Sequence, residues 1–533
     1  MQTAAIQSYN ISASGGSEKS KYYVSALYLD EEGTMKTARY KKFGVRANVD
    51  MKINKFINLG LELSPSYSKR RIAGGGGMVN LVKYPPFVSP ERLVSGKYPR
   101  TADFIPTGHS GQASPYVFLY GTESYVNYFS NIGRAFLDIN IADGLTFKTS
   151  VGNTIGFSES NNWAGGIGDA GVNTTGSLGD SRTINSVNEN ILNYSKTLNE
   201  VHEIGGLLGA SYQRTVSRSV SMAAVANSFN NDKVKTLNNA IINPSATTAS
   251  ATEWGLISYF ARVNYGYKGK YLVEASFRRD GSSRFGPDNK WGNFPSISGA
   301  WRVSEENFMK SVPGISELKL KASYGVTGNF NIGNFQYLGT VSNAVYSPGN
   351  VTVNGIAQTS MSNSELSWEK TKGINVGFEL SMIQNRIGLS VDFYRNRTTD
   401  MLYSVNVPAV TGFTNTISNA GEVENKGVDI ELNTRNIVRG NFTWSTAFNF
   451  SHNKNQVTDL GGVDERVNEY WSMGFLLRKG VPMFSYYGYK MIGVFQNQAQ
   501  IESLPHIAGS LPGNPIVQDT NNDGKITPDD RVI

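Results

Sequence analysis

Apolar and polar residues alternate along much of this chain with a period of two. Between Gly373 and Arg395, Ile374, Val376, Phe378 and Leu380 fall on one side and Asn375, Gly377, Glu379 and Ser381 on the other. A tight turn at Gln384-Asn385-Arg386 follows, and then Ile387, Leu389, Val391 and Phe393 alternate with Gly388, Ser390, Asp392 and Tyr394. Successive side chains of a strand point to opposite faces, so each segment predicts a strand with one greasy and one wet face. The same reading applies to Leu318–Gly325, to Val428–Asn433 and to Phe442–Ser451. The Asp143-Gly144 pair predicts a two-residue hairpin turn. Extended along the chain, the pattern predicts about sixteen strands of roughly ten residues, the length that crosses a bilayer when tilted. They fall near 6–14, 20–30, 40–53, 56–67, 132–141, 145–155, 186–195, 200–213, 258–267, 271–279, 292–303, 317–326, 372–382, 387–395, 427–434 and 442–451.

The connections add direction. Short turns at 54–55, 142–144, 196–199, 268–270, 383–386 and 435–441 alternate with long segments at 68–131, 156–185, 214–257, 327–371 and 396–426. In an up-and-down barrel every second connection emerges on the same side, so short periplasmic turns and long extracellular loops produce this rhythm. The segment 280–291 is short for the long side, and 304–316 is long for the short side. The expectation is an all-β fold: a partial up-and-down antiparallel transmembrane barrel domain over 1–533, with 454–533 a long extracellular loop region that holds an EF-hand-like segment at 519–530. In lipid each unpaired backbone group costs several kcal/mol, so strands persist there only in a closed ring.

Bulk properties narrow the classes. The 533 residues include 27 Tyr, 26 Phe, 56 Gly and no Cys, which suits strands and turns and excludes a disulfide scaffold or thiolate metal site. Mean hydropathy is −0.31, as expected where half of every strand and all loops are wet. The net charge of +7 comes from cations spread along the chain rather than clustered on one element, which argues against nucleic-acid binding. No run of 18 apolar residues exists, so no transmembrane helix is expected. Met1-Gln-Thr-Ala-Ala has neither a basic nor an apolar leader region, so an exported protein is expected to carry its leader upstream.

Several segments resemble the SusC/RagA-like family of TonB-dependent outer-membrane transporters. They are Ser14-Gly-Gly-Ser-Glu-Lys-Ser-Lys-Tyr-Tyr-Val-Ser, Tyr28-Leu-Asp-Glu-Glu-Gly33 and Tyr271-Leu-Val-Glu-Ala-Ser-Phe-Arg-Arg-Asp-Gly-Ser-Ser-Arg-Phe-Gly286. Trp291-Gly-Asn-Phe-Pro-Ser, Ala322-Ser-Tyr-Gly-Val-Thr-Gly-Asn329 and Leu366-Ser-Trp-Glu-Lys370 follow. The series ends with Asn419-Ala-Gly-Glu-Val-Glu-Asn-Lys-Gly427, Tyr487-Gly-Tyr-Lys490 and Asp519 through Ile533. The resemblance implies a plugged barrel of about 22 strands. It implies active uptake of glycan or peptide fragments driven through the TonB complex, and a SusD-like surface lipoprotein as partner. The family's plug, TonB-contacting segment and last strands are not found in these residues.

One local motif carries metal chemistry. Asp519, Asn521, Asp523, Gly524 and Asp530 match the twelve-residue Ca²⁺ loop, in which Lys525 offers its backbone carbonyl and Gly524 the sharp turn. Asp530 stands where Glu is usual, so its reach is shorter; the alternative is an exposed loop of Asx turns without metal. No other cofactor is expected. Gly166-Ile-Gly168-Asp-Ala-Gly171 lacks the flanking strand and helix of a dinucleotide site, and Gly74–Gly77 lacks the Lys of a phosphate loop. His109, His202, His452 and His506 have no metal-ligand spacing. Tyr265, Tyr267, Tyr271, Trp301 and Trp444 are expected at an interfacial girdle, while Trp163, Trp254 and Trp368 either pack or stack on sugar rings. No catalytic constellation is legible, so an enzyme is not expected. The competing readings are a passive porin or adhesin barrel, and a soluble secreted β-rich glycan-binding protein.

Overall fold

The computed structural model describes residues 2–73, 81–91, 98–104, 113–165, 173–231, 233–470 and 473–533. The glycine motifs at 74–77 and 166–171 and His109 lie outside them.

Twenty-six strands form among the described residues. The first twelve are β1 (Ile6–Gly16), β2 (Ser20–Glu32), β3 (Arg39–Lys52), β4 (Ile57–Ile72), β5 (Thr122–Ala142), β6 (Leu145–Ala164), β7 (Thr175–Leu198), β8 (His202–Ala223), β9 (Thr248–Tyr267), β10 (Tyr271–Ser282), β11 (Trp291–Arg302) and β12 (Ile315–Asn329). A hairpin, β13 (Val341–Tyr346) and β14 (Val353–Gln358), precedes β15 (Glu369–Met382) and β16 (Ile387–Thr399). A second hairpin, β17 (Leu402–Asn406) and β18 (Asn415–Asn419), precedes β19 (Glu422–Arg439) and β20 (Phe442–Asp459). The remainder holds β21 (Glu465–Tyr470), β22 (Met473–Arg478), β23 (Ser485–Tyr489), β24 (Met491–Val494), β25 (Pro515–Val517) and β26 (Arg531–Val532).

One sheet orders sixteen of these as β1 to β12, then β15, β16, β19 and β20, the up-and-down meander expected from the alternation. Each of its strands overlaps one predicted segment. Strands next to the longest connections run well past prediction: β7 begins at Thr175 rather than near 186, and β5 at Thr122 rather than near 132. Thr122–Asn131 and Thr175–Asn185 show no clean alternation of apolar and polar residues, so the period-two pattern does not reach them. The short turns behave as expected. Asn199 and Glu200, and Lys268 and Gly269, take consecutive left-handed conformations, the twist that hairpins favour.

The chain divides into two compact units, Met1–Tyr194 with Leu207–Tyr259, and Ser195–Gly206 with Phe260–Ile533. In both, much of the mid-strand apolar face is uncovered. In the first unit Ile11 is 75% exposed and Val151 51%; in the second Val376 is 52% and Phe448 54%. The buried clusters lie instead among loops and strand ends, as at Trp163 with Phe229 and at Val423 with Val457 and Leu460. A water-soluble sandwich buries its apolar strand faces against a second sheet, and among the described residues no such layer covers them. No helix among the described residues is long and apolar enough to cross a membrane, which leaves the strands free to do so.

Candidate transport surface

The sheet's wet face in the second unit is built by register. Antiparallel pairing sets Lys321, Gly377, Asp392, Asp429 and Ser451 in one row across β12, β15, β16, β19 and β20. The adjacent row is Glu274, Ser298, Ser323, Asn375, Tyr394, Gly427 and Asn453. The next is Ser276, Ser296, Gly325, Gly373, Asn396, Asn425 and Asn455. Small residues leave room for large neighbours: a Cβ on Gly427 would lie 2.6 Å from the Tyr394 hydroxyl and 2.3 Å from the His452 carbonyl oxygen.

Charge and neutral polarity divide this wall. Lys321 Nζ lies 3.2 Å from Glu379 Oε1 and 2.9 Å from Asp392 Oδ2, and Lys319 Nζ lies 3.3 Å from Glu379 Oε2. Ser390 Oγ donates to the same Asp392 oxygen. Two cations thus balance two carboxylates on three strands, all of them partly wet. Such a pair is worth at most about 1 kcal/mol, so the network orients side chains more than it stabilises the sheet. Glu274, Lys319, Lys321 and Asn375 line a hollow of 620 Å³. The neighbouring hollow, of 810 Å³, is lined by amides and hydroxyls including Tyr394, Asn396, Asn425 and Asn453, together with the Asp429 carboxylate. There Tyr394 donates to Asn453 Oδ1 at 3.0 Å, and the Asn453 and Asn455 amides donate to Asn425 Oδ1 at 3.3 and 2.8 Å. A wall of this kind exchanges hydrogen bonds with a polar solute and holds no activated nucleophile.

The quoted sequence segments converge on a packing centre at the long-connection ends. Trp368 is 2% exposed and meets Phe285, Phe294 and Phe330 at centroid distances of 5.4, 5.2 and 5.2 Å. Its Nε1 donates to the Lys290 carbonyl at 2.9 Å. A Cβ on Gly328 would stand 2.1 Å from Phe294 Cζ, so only glycine lets that ring lie flat. Arg284 donates to Asn334 Oδ1 at 2.9 Å, and burial lowers its guanidinium below the usual value. Asn419 ties in the β17–β18 hairpin, accepting from the Ser367 N–H at 2.7 Å and donating to the Ser367 carbonyl at 2.8 Å. These segments therefore fasten loops. Trp368 and Trp163 are buried, which removes both from sugar stacking. Trp163 packs on Phe229 and carries Lys235 Nζ 4.7 Å above its ring.

The expected girdle is present on the short-turn side of the second unit. Tyr265, His202, Tyr267, Tyr271 and Trp301 succeed one another at centroid spacings of 5.1–6.4 Å. Glu306, in the turn after β11, accepts from the Tyr271 hydroxyl at 2.6 Å, from Lys270 Nζ at 3.0 Å and from Trp301 Nε1 at 3.2 Å. Those donors, the Tyr271 hydroxyl foremost, hold its carboxyl down at about 2. Trp444 stands apart on β20, 54% exposed.

The loop from Asp519 to Asp530 closes on itself. Asp519 accepts from the Gly524 N–H at 2.8 Å, Asn521 from the Asp523 N–H at 3.0 Å, and Asp523 from the Lys525 N–H at 2.8 Å. Asp530 is fully buried and accepts from the Thr520 and Thr527 N–H groups, each at 2.8 Å. Those donors, Thr527 first, hold its carboxyl below the usual carboxylate range. The oxygens required by the Ca²⁺ expectation are thus engaged with the loop's own amides. Among the described residues no three His, Asp or Glu side chains form a metal-sized group.

This architecture has relatives. The family model described as "TonB dependent receptor-like, beta-barrel" matches residues 80–492. TonB-dependent receptor P39 of Formosa agariphila is 38% identical over 502 residues, 91% of this chain and 46% of its own. TonB-dependent receptor SusC of Bacteroides thetaiotaomicron is 40% identical over 223 residues, 41% of this chain and 22% of its own. The solved RagAB peptide transporter shares the fold at a TM-score of 0.81 and 23% identity, over 99% of this chain and 58% of that one. The chain spans about half the length of the Formosa relatives it matches. With its lipid-ready strand faces, its polar wall and these matches, the chain belongs to the TonB-dependent receptor β-barrel family of the outer membrane, in its SusC/RagA-like branch.

Proposed function

We propose that the protein this chain forms imports polar nutrients, glycan or peptide fragments, across the outer membrane with energy delivered through TonB, and that a SusD-like lipoprotein covers its long connections. The polar wall of β10–β12, β15, β16, β19 and β20 is the surface along which cargo moves. The observation that carries the reading is the pairing of opposite faces on one sheet. Val376, Phe393 and Phe448 stand bare on one side, while two hollows on the other are lined by amides, hydroxyls and a balanced ion network. Neutral hydrogen-bonding groups suit sugars and peptide backbones. The network of Lys319, Lys321, Glu379 and Asp392 is balanced within itself, and Glu274 and Asp429 add carboxylates to the two hollows. Family membership supports the energy coupling.

The test is uptake by cells that produce the full-length protein, using labelled oligosaccharides and labelled peptides in parallel, with the TonB complex intact and disabled. Import of one class that stops when the complex is disabled supports the proposal. Uptake that continues without TonB favours a passive porin and overturns it. Co-purification of a surface lipoprotein checks the partner. Asn425→Leu with Asn453→Leu removes hydrogen bonds worth about 0.5–1.5 kcal/mol each and is expected to lower uptake without altering the amount assembled.

A further inference from the structure

In the first unit, register builds a second girdle, and what stands just beyond it points to a ligand. Tyr9, Tyr28, Phe43, Tyr67, Phe129 and Phe157 occupy one row across β1 to β6. The row shares a face with the bare Ile11, Leu61 and Leu63, so it lies on the lipid side. Aromatic residues in such a row mark the level of the lipid headgroups. The long connections follow within a few residues, so this is the outer-leaflet boundary.

Two and four residues further out along β3 and β4, the same face carries Lys41 beside Lys69 and Arg39 beside Arg71. The acids on that rim of β2 are Asp30, opposite Lys41, and Glu32, opposite Arg39. Asp30 takes both cations of β3, with Arg39 at 2.8 Å and Lys41 at 3.3 Å. Lys69 and Arg71 make no ion pair among the described residues. Both lie over the Tyr125 ring, Lys69 Nζ at 5.1 Å and Arg71 Cζ at 5.7 Å from its centroid. Arg71 Nε is buried without a hydrogen-bond acceptor. Glu159 and Asp180 continue the outer row on β6 and β7, beyond Asn127, and pair with neither cation.

We propose that Lys69 and Arg71 form a binding site for the phosphate of an outer-leaflet lipid, whose chains lie against the aromatic row below. A phosphate supplies the anion that both side chains lack among the described residues. Guanidinium geometry suits a phosphate oxygen pair. A lipid rather than a free anion is indicated because the pair projects from the face that meets hydrocarbon one row inward.

The experiment uses full-length protein in detergent, exchanged into micelles containing equal amounts of phosphatidic acid and phosphatidylcholine, with bound lipid read by native mass spectrometry. The unaltered protein is expected to retain phosphatidic acid preferentially. Each cation is worth about fivefold, so Lys69→Gln with Arg71→Gln lowers the preference about 25-fold. Lys69→Arg with Arg71→Lys keeps most of it. Lys55→Gln, a cation at the opposite end beside Phe56, leaves it unchanged. Folding is checked by heat-dependent gel mobility. If the double variant fails to assemble, the exposed Lys69→Gln alone carries the test, with about a fivefold loss expected. Equal retention of both lipids by the unaltered protein overturns the proposal. So does a full preference in the Gln variants, or displacement of the lipid by an equal concentration of inorganic phosphate.

Discussion

The exposure of one strand face to hydrocarbon is tested by placing a charge at a known depth. On β16 the outward row is Ile387, Leu389, Val391 and Phe393, with Arg386 at the turn below and Arg395 above. Arg395 stands between Ile374 and Lys426, and it pairs with Glu424 at 2.6 Å, so it belongs to the rim. A strand rises about 3.3 Å per residue and tilts about 45°, which gives about 2.3 Å of depth per residue. Val391 therefore lies about 9 Å below Arg395 and about 12 Å above Arg386, close to the middle of a 25 Å apolar band. Val391→Arg is expected to cost about 2–4 kcal/mol, whereas Phe393→Arg, one step from the rim, costs about 0–1 kcal/mol. Ser390→Arg, on the wet face, is expected to cost less than Val391→Arg. Val391 is 9% exposed and packs beside Phe378 and Ile430, so Val391→Leu measures the packing penalty separately. The assay is denaturant-dependent refolding of the full-length protein into detergent or lipid, with the folded fraction read from heat-sensitive gel migration. If Val391→Arg assembled as well as Val391→Leu, the greasy face would not meet lipid, and the membrane reading would fail.

Three further outcomes follow from local geometry. Gly328→Ala places a methyl 2.1 Å from Phe294 Cζ and 3.0 Å from Trp368; overpacking of this kind costs about 1–3 kcal/mol, seen as a lower melting temperature and altered tryptophan emission, and an unchanged melt refutes the hub. The Glu306 carboxyl is held at about 2 against an ordinary 4.5, so its contribution is complete above pH 4.5 and disappears as pH falls towards 2. Glu306→Gln should flatten that part of the acid-stability profile, and an unaltered profile refutes the assignment. Asp530 is likewise lowered, so the Asp519–Asp530 loop should become protease-sensitive as pH falls below 3.8, and Asp530→Asn should open it already at neutral pH. The Ca²⁺ expectation for the same loop predicts metal-dependent protection that Asp523→Ala abolishes; equal cleavage of the unaltered protein with and without Ca²⁺ refutes it.

The parts legible from sequence were those set by neighbours on the same strand. Period-two alternation is local, so Ile374–Leu380 and Ile387–Phe393 declared both their strands and their faces. Short turns were legible because two residues must supply a left-handed twist, as at Lys268-Gly269. The rhythm of long and short connections then implied the meander. The polar wall and the packing hub were not legible as places. Lys321 meets Asp392 across 71 residues and Trp368 meets Lys290 across 78, and no local rule sets a register over such distances. For Trp368 and Trp163 the sequence favoured packing over stacking, and their burial decided for packing. The small sheets after β20 were read as loop because their strands are short and their pairing, as between β23 and β26, is remote in sequence.

By itself the sequence determined which stretches become strands, which side of each is greasy and where the tight turns fall, since steric alternation and turn chemistry act between adjacent residues. Tertiary structure decided which side chains share a row. The ion network on the wet face, the six aromatic rings in register across β1 to β6 and the placing of Lys69 and Arg71 above them all arise from hydrogen-bonded pairing between strands, and several of those pairings span long connections whose length says nothing about register.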